Sequence, residues 1–228
     1  MLNFVQQHQL DDFYYIGLEK FPDLVARVCA TKPADFGLNS DEERGMPGEK
    51  HYTESGWSRK MLGRYFAAGF LCQNAGVLDL CSGLGWGAYI LSHFTDNVSC
   101  LELNEEIVAK AAGVWQRENM KWHTGNALEC DTLFHSGQFS AVTFMESIEH
   151  FSCEDGFTML RKIHSILKDG GILIASSYFP SGREEADLIC AKNKHHLYIF
   201  TEQEVMAYCK HLFRKTFIAN KMLLVAVK

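Results

Sequence analysis

Basic charge is scarce in this chain: 22 Lys and Arg stand against 28 Asp and Glu, a formal net charge of -6 over 228 residues. A phosphate backbone is bound by a basic surface, so nucleic acid is not the expected partner. Long apolar runs are also missing, and no membrane span is expected. The opening stretch MLNFVQQHQLDDFYY lacks a basic start followed by an apolar core, so it predicts no secretory signal. The 8 cysteines are Cys29, Cys72, Cys81, Cys100, Cys130, Cys153, Cys190 and Cys209, and no two form a C-x-x-C pair. That argues against a disulfide framework or a zinc-thiolate site and predicts reduced thiols in the cytoplasm. No internal repeat or low-complexity segment is present. What remains is an ordinary soluble composition, 47% hydrophobic with only 4 Pro, long enough for one domain with a sizeable core.

The periodicity changes along the chain. Residues 1–31 read as helical, through Phe21, Leu24, Val25 and Val28. A loop rich in Pro, Gly and charge covers 32–50, and a second helix is expected over 55–70. Short strands are then predicted at 76–80, 97–102, 120–123, 139–145 and 172–177, with helices at 88–93, 105–119 and 154–167 between them. Asn104 can cap one helix, and Thr201 with Glu204 forms a capping box for another. Residues 214–228 read as two strands joined near Asn220. Strands alternating with helices predict a doubly wound α/β sheet, mostly parallel, with a terminal antiparallel hairpin and N-terminal helices. The expected organisation is a helical segment over 1–70 that could close over a site, followed by one compact unit over 71–228.

The central signal runs from Asp79 to Gly87, between a strand and a helix. Glycine lets the backbone turn tightly and approach a ligand, and the helix start offers free N–H groups. Glu102 closes the second strand, where a carboxylate can accept both hydroxyls of a ribose. An adenosine-type ligand follows. The dinucleotide pattern G-x-G-x-x-G would need one more residue before its last glycine than Gly83-x-Gly85-x-Gly87 provides.

This turn, preceded by Asp79, resembles motif I of the class I S-adenosylmethionine methyltransferases, with Cys81 where many members carry Gly. Cys is small and is expected to be tolerated. Residues 125–127, 139–146 and 167–173 resemble that family's adenine-flanking loop, fourth strand and turn before the fifth strand. The resemblance implies a seven-stranded Rossmann-like fold, S-adenosylmethionine as cofactor, and contacts from Asp79, Cys81, Gly83, Gly85, Glu102, Leu103, Asn126, Ala127 and Glu146. Arg64 is a candidate for the cofactor carboxylate, against an ordinary surface ion pair. Tyr52 and Trp57 are candidates for a lid; Trp86 and Tyr89 could touch the cofactor or simply pack. The segments 42–48, 64–65 and 194–201 look like those of bacterial methyltransferases found with surface-polysaccharide enzymes.

Glu146-Ser147-Ile148-Glu149-His150 ends the fourth strand, at the mouth of such a sheet. Two carboxylates and an imidazole on one turn could hold a divalent cation. The E-x-x-E-H arrangement resembles the magnesium site of small-RNA terminal 2′-O-methyltransferases and of some ubiquinone-pathway O-methyltransferases. That implies Mg2+ or Mn2+ held by Glu146, Glu149, His150 and a further histidine, His196 in preference to His195. Alternatively His150 acts as a metal-free base, or these groups are structural, with Glu149 capping a helix or pairing with Lys. His51, His123 and His164 read as ordinary surface or core histidines. The expected activity is O-methylation of a hydroxyl on a sugar, glycan or related small metabolite. The rivals are a metal-dependent RNA 2′-O-methyltransferase, a nicotinamide-dependent oxidoreductase and a non-catalytic cofactor-binding module.

Overall fold

The structure, a computed structural model, describes residues 15–37 and 45–228. The chain divides into two compact units, Met1–Thr124 and Gly125–Lys228. In the first, α1 (Pro22–Ala30) begins with proline, which loses nothing at a helix start where the N–H is unpaired anyway. After a 3-10 turn (Pro33–Phe36) come α2 (Lys50–Glu54) and α3 (Trp57–Leu71). Phe21, Phe66, Phe70 and Phe94 interlock, with ring centroids 5.0–6.3 Å apart. β1 (Gly76–Leu80), α4 (Trp86–Leu91), β2 (Asn97–Glu102), α5 (Glu105–Val114) and β3 (Met120–Thr124) follow. The three strands are parallel in the order β3-β2-β1, with Leu80 opposite Leu101 and Glu102 opposite Thr124. Val77, Leu78 and Leu80 are buried, as a strand covered on both faces requires. Each such side chain contributes roughly 2 kcal/mol.

The second unit holds α6 (Cys130–Leu133), β4 (Phe139–Met145), α7 (Cys153–Ile166), β5 (Leu167–Ser176), α8 (Arg183–Cys190), α9 (Glu202–Leu212), β6 (Lys215–Ala219) and β7 (Leu223–Val227). β4 and β5 are parallel, while β7 runs antiparallel to both β5 and β6. Ser152 caps α7 by accepting from the Asp155 N–H at 3.1 Å, and the Thr201–Glu204 capping box is formed.

The fold class is the expected one: a seven-stranded mixed sheet, mostly parallel, with its antiparallel strands at the C-terminal end and helices alongside. Boundaries differ in places. The helix expected over 105–119 stops at Val114 because Trp115 turns inward and is fully buried. α6 and α8 were not foreseen; α6 has only 4 residues, too few for a periodicity to register. Of the helix expected over 1–31, residues 1–14 lie outside the described residues, as do Glu42, Glu43 and Arg44 of the 42–48 segment. Among the described residues, no helix is long and apolar enough to cross a membrane.

Candidate functional site

In the first unit the chain leaves β1 through a turn that repeatedly enters the left-handed region: Cys81 at φ 60°, Gly83 at 52° and Gly85 at 76°. Buried hydrogen bonds hold it there. The Ser82 N–H donates to the Leu101 carbonyl at 3.0 Å, and the Trp115 indole N–H donates to the Leu84 carbonyl at 2.7 Å. A Cβ on Gly85 would meet the Trp122 ring at 2.3 Å, and one on Gly87 the Tyr65 ring at 2.0 Å, so close packing requires both glycines. Above Gly83 a Cβ would find nothing within 4 Å, so that face of the turn is open to a ligand. At Cys81 the demand is conformational rather than one of size: a left-handed backbone costs a Cβ-bearing residue about 1 kcal/mol.

Glu102, nearly buried at the end of β2, ties this turn to its neighbour. One carboxylate oxygen accepts from the Gly83 N–H at 3.1 Å, the other from the Asn104 N–H at 3.2 Å. A carboxylate at the end of a second strand can also accept from ribose hydroxyls. Leu103 beside it is 66% exposed, an apolar surface next to that carboxylate. Asp79 is fully buried and accepts from the Tyr65 hydroxyl at 3.3 Å. Burial first, then the Asp79 charge, pushes Tyr65 well above its ordinary range, so it stays a donor. The Ser82 hydroxyl is buried with no hydrogen-bond partner among the described residues. A donor left unsatisfied in a turn open at Gly83 fits a bound polar ligand.

Other residues of the first unit approach the same turn. The Trp86 indole N–H donates to the Gly45 carbonyl at 3.2 Å, pinning segment 45–54 to the start of α4. Arg64 is no surface residue: it is 2% exposed, with its guanidinium 4.8 Å over the Trp57 ring. Tyr52 packs against Gly45 and His51. Tyr89 stacks on Trp115 at 4.7 Å, which is packing. His123 is half-buried, and burial lowers its pKa below the ordinary imidazole value.

In the second unit, Glu146 ends β4 at φ 46°. Its N–H donates to the Ser176 carbonyl at 2.9 Å, and the Ser176 hydroxyl donates to its carboxylate at 2.7 Å. Glu149 and His150 lie on a 3-10 turn (Ile148–His150). Glu149, His150 and His196 each offer a ligand atom, all within 4.8 Å of one another; Glu146 is not in this group. His150 Nδ1 lies 3.1 Å from the His195 carbonyl, which favours the proton on Nδ1 in the neutral ring. His195 thus contributes its backbone, while the His196 ring stands 5.3 Å from that of His150. Glu149 caps no helix; Ser152 does that work for α7. Asn126 uses its side-chain oxygen to accept from the Leu128 N–H at 3.0 Å, and Ala127 is buried in the turn that follows. His164 packs on Phe213, where burial lowers its pKa. Sequence reasoning missed Tyr65 as the partner of Asp79, Trp115 as the clamp on the turn, Ser176 behind Glu146 and Asn193 beside His196. Their spacing carries no signal, because each arrives from a distant element.

Residues 77–171 match the family model described as a methyltransferase domain. Among solved structures, a SAM-dependent methyltransferase from Archaeoglobus fulgidus is similar, with a TM-score of 0.61, 13% identity, and 79% of this chain and 100% of that one covered. The N-methyltransferase NodS from Bradyrhizobium japonicum, in complex with S-adenosyl-L-homocysteine, matches at a TM-score of 0.57 and 13% identity, over 90% of this chain and 95% of that one. The chain spans under two thirds of two Bacillus neighbours, 66% and 62% of their lengths. No curated protein matches it in sequence. The domain match covers the turn after β1 through the start of β5, and the solved structures share the fold.

Proposed function

We propose, with the methyltransferase domain at residues 77–171 as the premise, that this chain moves the methyl group of S-adenosylmethionine onto a hydroxyl of a sugar, glycan or related small metabolite. The observation that carries the reading is the left-handed turn 81–85, open above Gly83 and bonded through Gly83 to Glu102. Asp79 and Ser82 would receive the methionyl end, Glu102 the ribose, and Leu103 the face of the adenine. Arg64, with segment 45–57, would cover the site, and Asn126 and Ala127 would flank the adenine. With all 8 cysteines free, a reducing compartment such as the cytoplasm suits the chain.

The methyl carbon is already activated by the sulfonium, so the protein need only align the acceptor, exclude water and accept a proton. A lone pair of the acceptor oxygen attacks the methyl carbon, the carbon–sulfur bond breaks toward sulfur, and the hydroxyl proton passes to a base. His150 suits that role: with Nδ1 turned to the His195 carbonyl, the neutral ring presents its lone pair at Nε2. A hydroxyl needs such help far more than an amine or thiol does, which favours oxygen as the acceptor. Mg2+ or Mn2+ held by Glu149, His150 and His196 would instead lower the pKa of the hydroxyl directly. In that case His150 is a ligand rather than the base.

The test is calorimetry with S-adenosylhomocysteine, followed by isotope-labelled methyl transfer to nucleotide sugars, small phenols, amines and short RNAs. Binding plus labelling of sugar hydroxyls is expected. No binding to the purified protein would sink the reading, and NAD binding instead would point to an oxidoreductase. Labelling of RNA alone would overturn the sugar assignment.

A further inference from the structure

The geometry points to a second binding site in the first unit: a cavity of about 430 Å3, between the end of α5 and β3, that takes the guanine base of a free nucleoside or nucleotide. The site stands on its own lining; only its link to a cofactor rests on the methyltransferase reading.

Small-ligand sites are concave and mostly apolar, about 300–1,000 Å3 in volume, with a few polar groups that set orientation. This cavity has that make-up. Ala112, Trp115, Met120 and Trp122 supply its apolar walls, and Arg117 and Glu118 its charged ones. The two indoles differ. Trp115 is fully buried and already engaged, with Tyr89 stacked on it at 4.7 Å and the Arg27 guanidinium 5.5 Å from its centroid. Trp122 is half-buried, and its indole N–H makes no hydrogen bond among the described residues. A flat ring laid on Trp122 gains base–aromatic stacking, and every nucleobase has such a face.

The charged walls select the edge of that ring. Glu118 is exposed, and its carboxylate makes no ion pair or hydrogen bond among the described residues. Arg117 is held by the Ser92 carbonyl and His93 Nε2, each at 3.3 Å, with no carboxylate to neutralise it. A neighbouring cation and anion suit a neutral ring with acceptors and donors on its edge better than a ligand of one charge. Guanine is such a ring: O6 and N7 accept from a guanidinium, while N1–H and the 2-amino group donate to a carboxylate. The net charge of -6 disfavours a nucleic-acid strand as the source of the base.

The walls of the cavity also touch the turn after β1. The Trp115 N–H holds the Leu84 carbonyl at 2.7 Å, and the Trp122 ring stands 2.3 Å from where a Cβ on Gly85 would be. Gly83, above which the turn is open, takes no part in the cavity lining, so both ligands can be held at once. A base on Trp122 braces that ring against Gly85, and by linkage each ligand then tightens the other.

The experiment is calorimetric titration of the full-length protein with guanosine, first with S-adenosylhomocysteine at saturation and then without it. One guanosine per chain is expected, about 5-fold tighter when S-adenosylhomocysteine is bound. Inosine, which lacks the 2-amino group, should bind about 10-fold more weakly. Trp122→Ala should weaken guanosine by about 10- to 100-fold. Ala112→Trp, which fills the cavity from α5, should abolish its binding. Glu118→Gln should bring guanosine down to the level of inosine and leave S-adenosylhomocysteine affinity unchanged. Circular dichroism melting confirms that each variant is folded. Absence of guanosine binding to the parent protein would overturn the site, as would undiminished binding in both Trp122→Ala and Ala112→Trp. Equal affinity for guanosine and inosine would overturn the choice of guanine, and tighter binding of a short guanine-containing RNA would overturn the choice of a free nucleoside. Guanosine affinity indifferent to S-adenosylhomocysteine would overturn the coupling. Failure of S-adenosylhomocysteine to bind at all would sink the methyltransferase reading and leave the guanosine result standing by itself.

Discussion

The Gly-rich turn of the first unit and the Glu149–His150–His196 group of the second are built on opposite plans. The turn is made of backbone: left-handed residues, main-chain N–H groups and buried rings packed where a side chain would collide. The group is made of side chains on short segments, with His150 and His196 only half-buried. A site made of backbone cannot be altered without disturbing the fold, whereas one made of side chains can lose its chemistry and keep its stability. Substitutions in the two places should therefore separate stability from function.

The largest effect is expected from Gly87→Ala. Its new Cβ would meet the Tyr65 ring at 2.0 Å, and that ring is buried and bonded to Asp79. Overpacking of this kind should cost about 3 kcal/mol in urea denaturation and weaken S-adenosylhomocysteine together with stability. A variant as stable as the parent would show that the turn yields easily. Trp115→Phe comes next. It keeps most of the packing but strands the Leu84 carbonyl, for a loss of about 2 kcal/mol. Metal binding by the second unit should not change; if it did, the contrast between the two sites would fail.

Acid should act on the two units in different pH windows. Burial, helped by the Arg117 charge, lowers His93 from 6.5 to about 4. The folded first unit therefore favours neutral His93, and this contribution, complete above pH 6.5, is lost as pH falls toward 4. In the second unit, burial alone would raise Glu204. The Thr201 N–H, the Tyr198 and Thr201 hydroxyls and the Arg183 charge outweigh it and hold Glu204 below its ordinary value. Its contribution is present above the ordinary carboxylate range and is lost as pH falls through the depressed value. His93→Gln should flatten the stability profile in the first window. Glu204→Gln should flatten it in the second; Gln keeps the capping box, so the cost at neutral pH is under about 1 kcal/mol, for the lost Arg183 pairing. Profiles with unchanged slopes would reject both assignments. The smallest effect is a gain: Cys81→Gly relieves the φ of 60° but loosens the unfolded chain, for a net stabilisation under about 1 kcal/mol. A clear loss would mean that the thiol contributes contacts that outweigh its backbone cost.

The same contrast explains what was legible in the sequence. Gly83, Gly85 and Glu102 announced the turn because backbone demands leave a spacing that survives in one dimension. The strands over 76–80, 97–102 and 139–145 were readable to the residue, since runs buried on both faces have sharp ends. The E-x-x-E-H motif puts Glu149 and His150 on one turn, but its spacing does not show that His196 comes beside them while Glu146 stands apart. Glu146 departs from the group through its left-handed backbone and its bond to Ser176, 30 residues away. Arg64 read as either a cofactor contact or a surface pair because only the fold shows it buried beneath Trp57.

The distribution of indoles has a practical side. All four tryptophans, Trp57, Trp86, Trp115 and Trp122, precede residue 125. Indole emission therefore originates in the first unit. Trp86 and Trp115 are both hydrogen-bonded around the turn, Trp86 to Gly45 and Trp115 to Leu84. The chain thus carries its own optical probe of the turn.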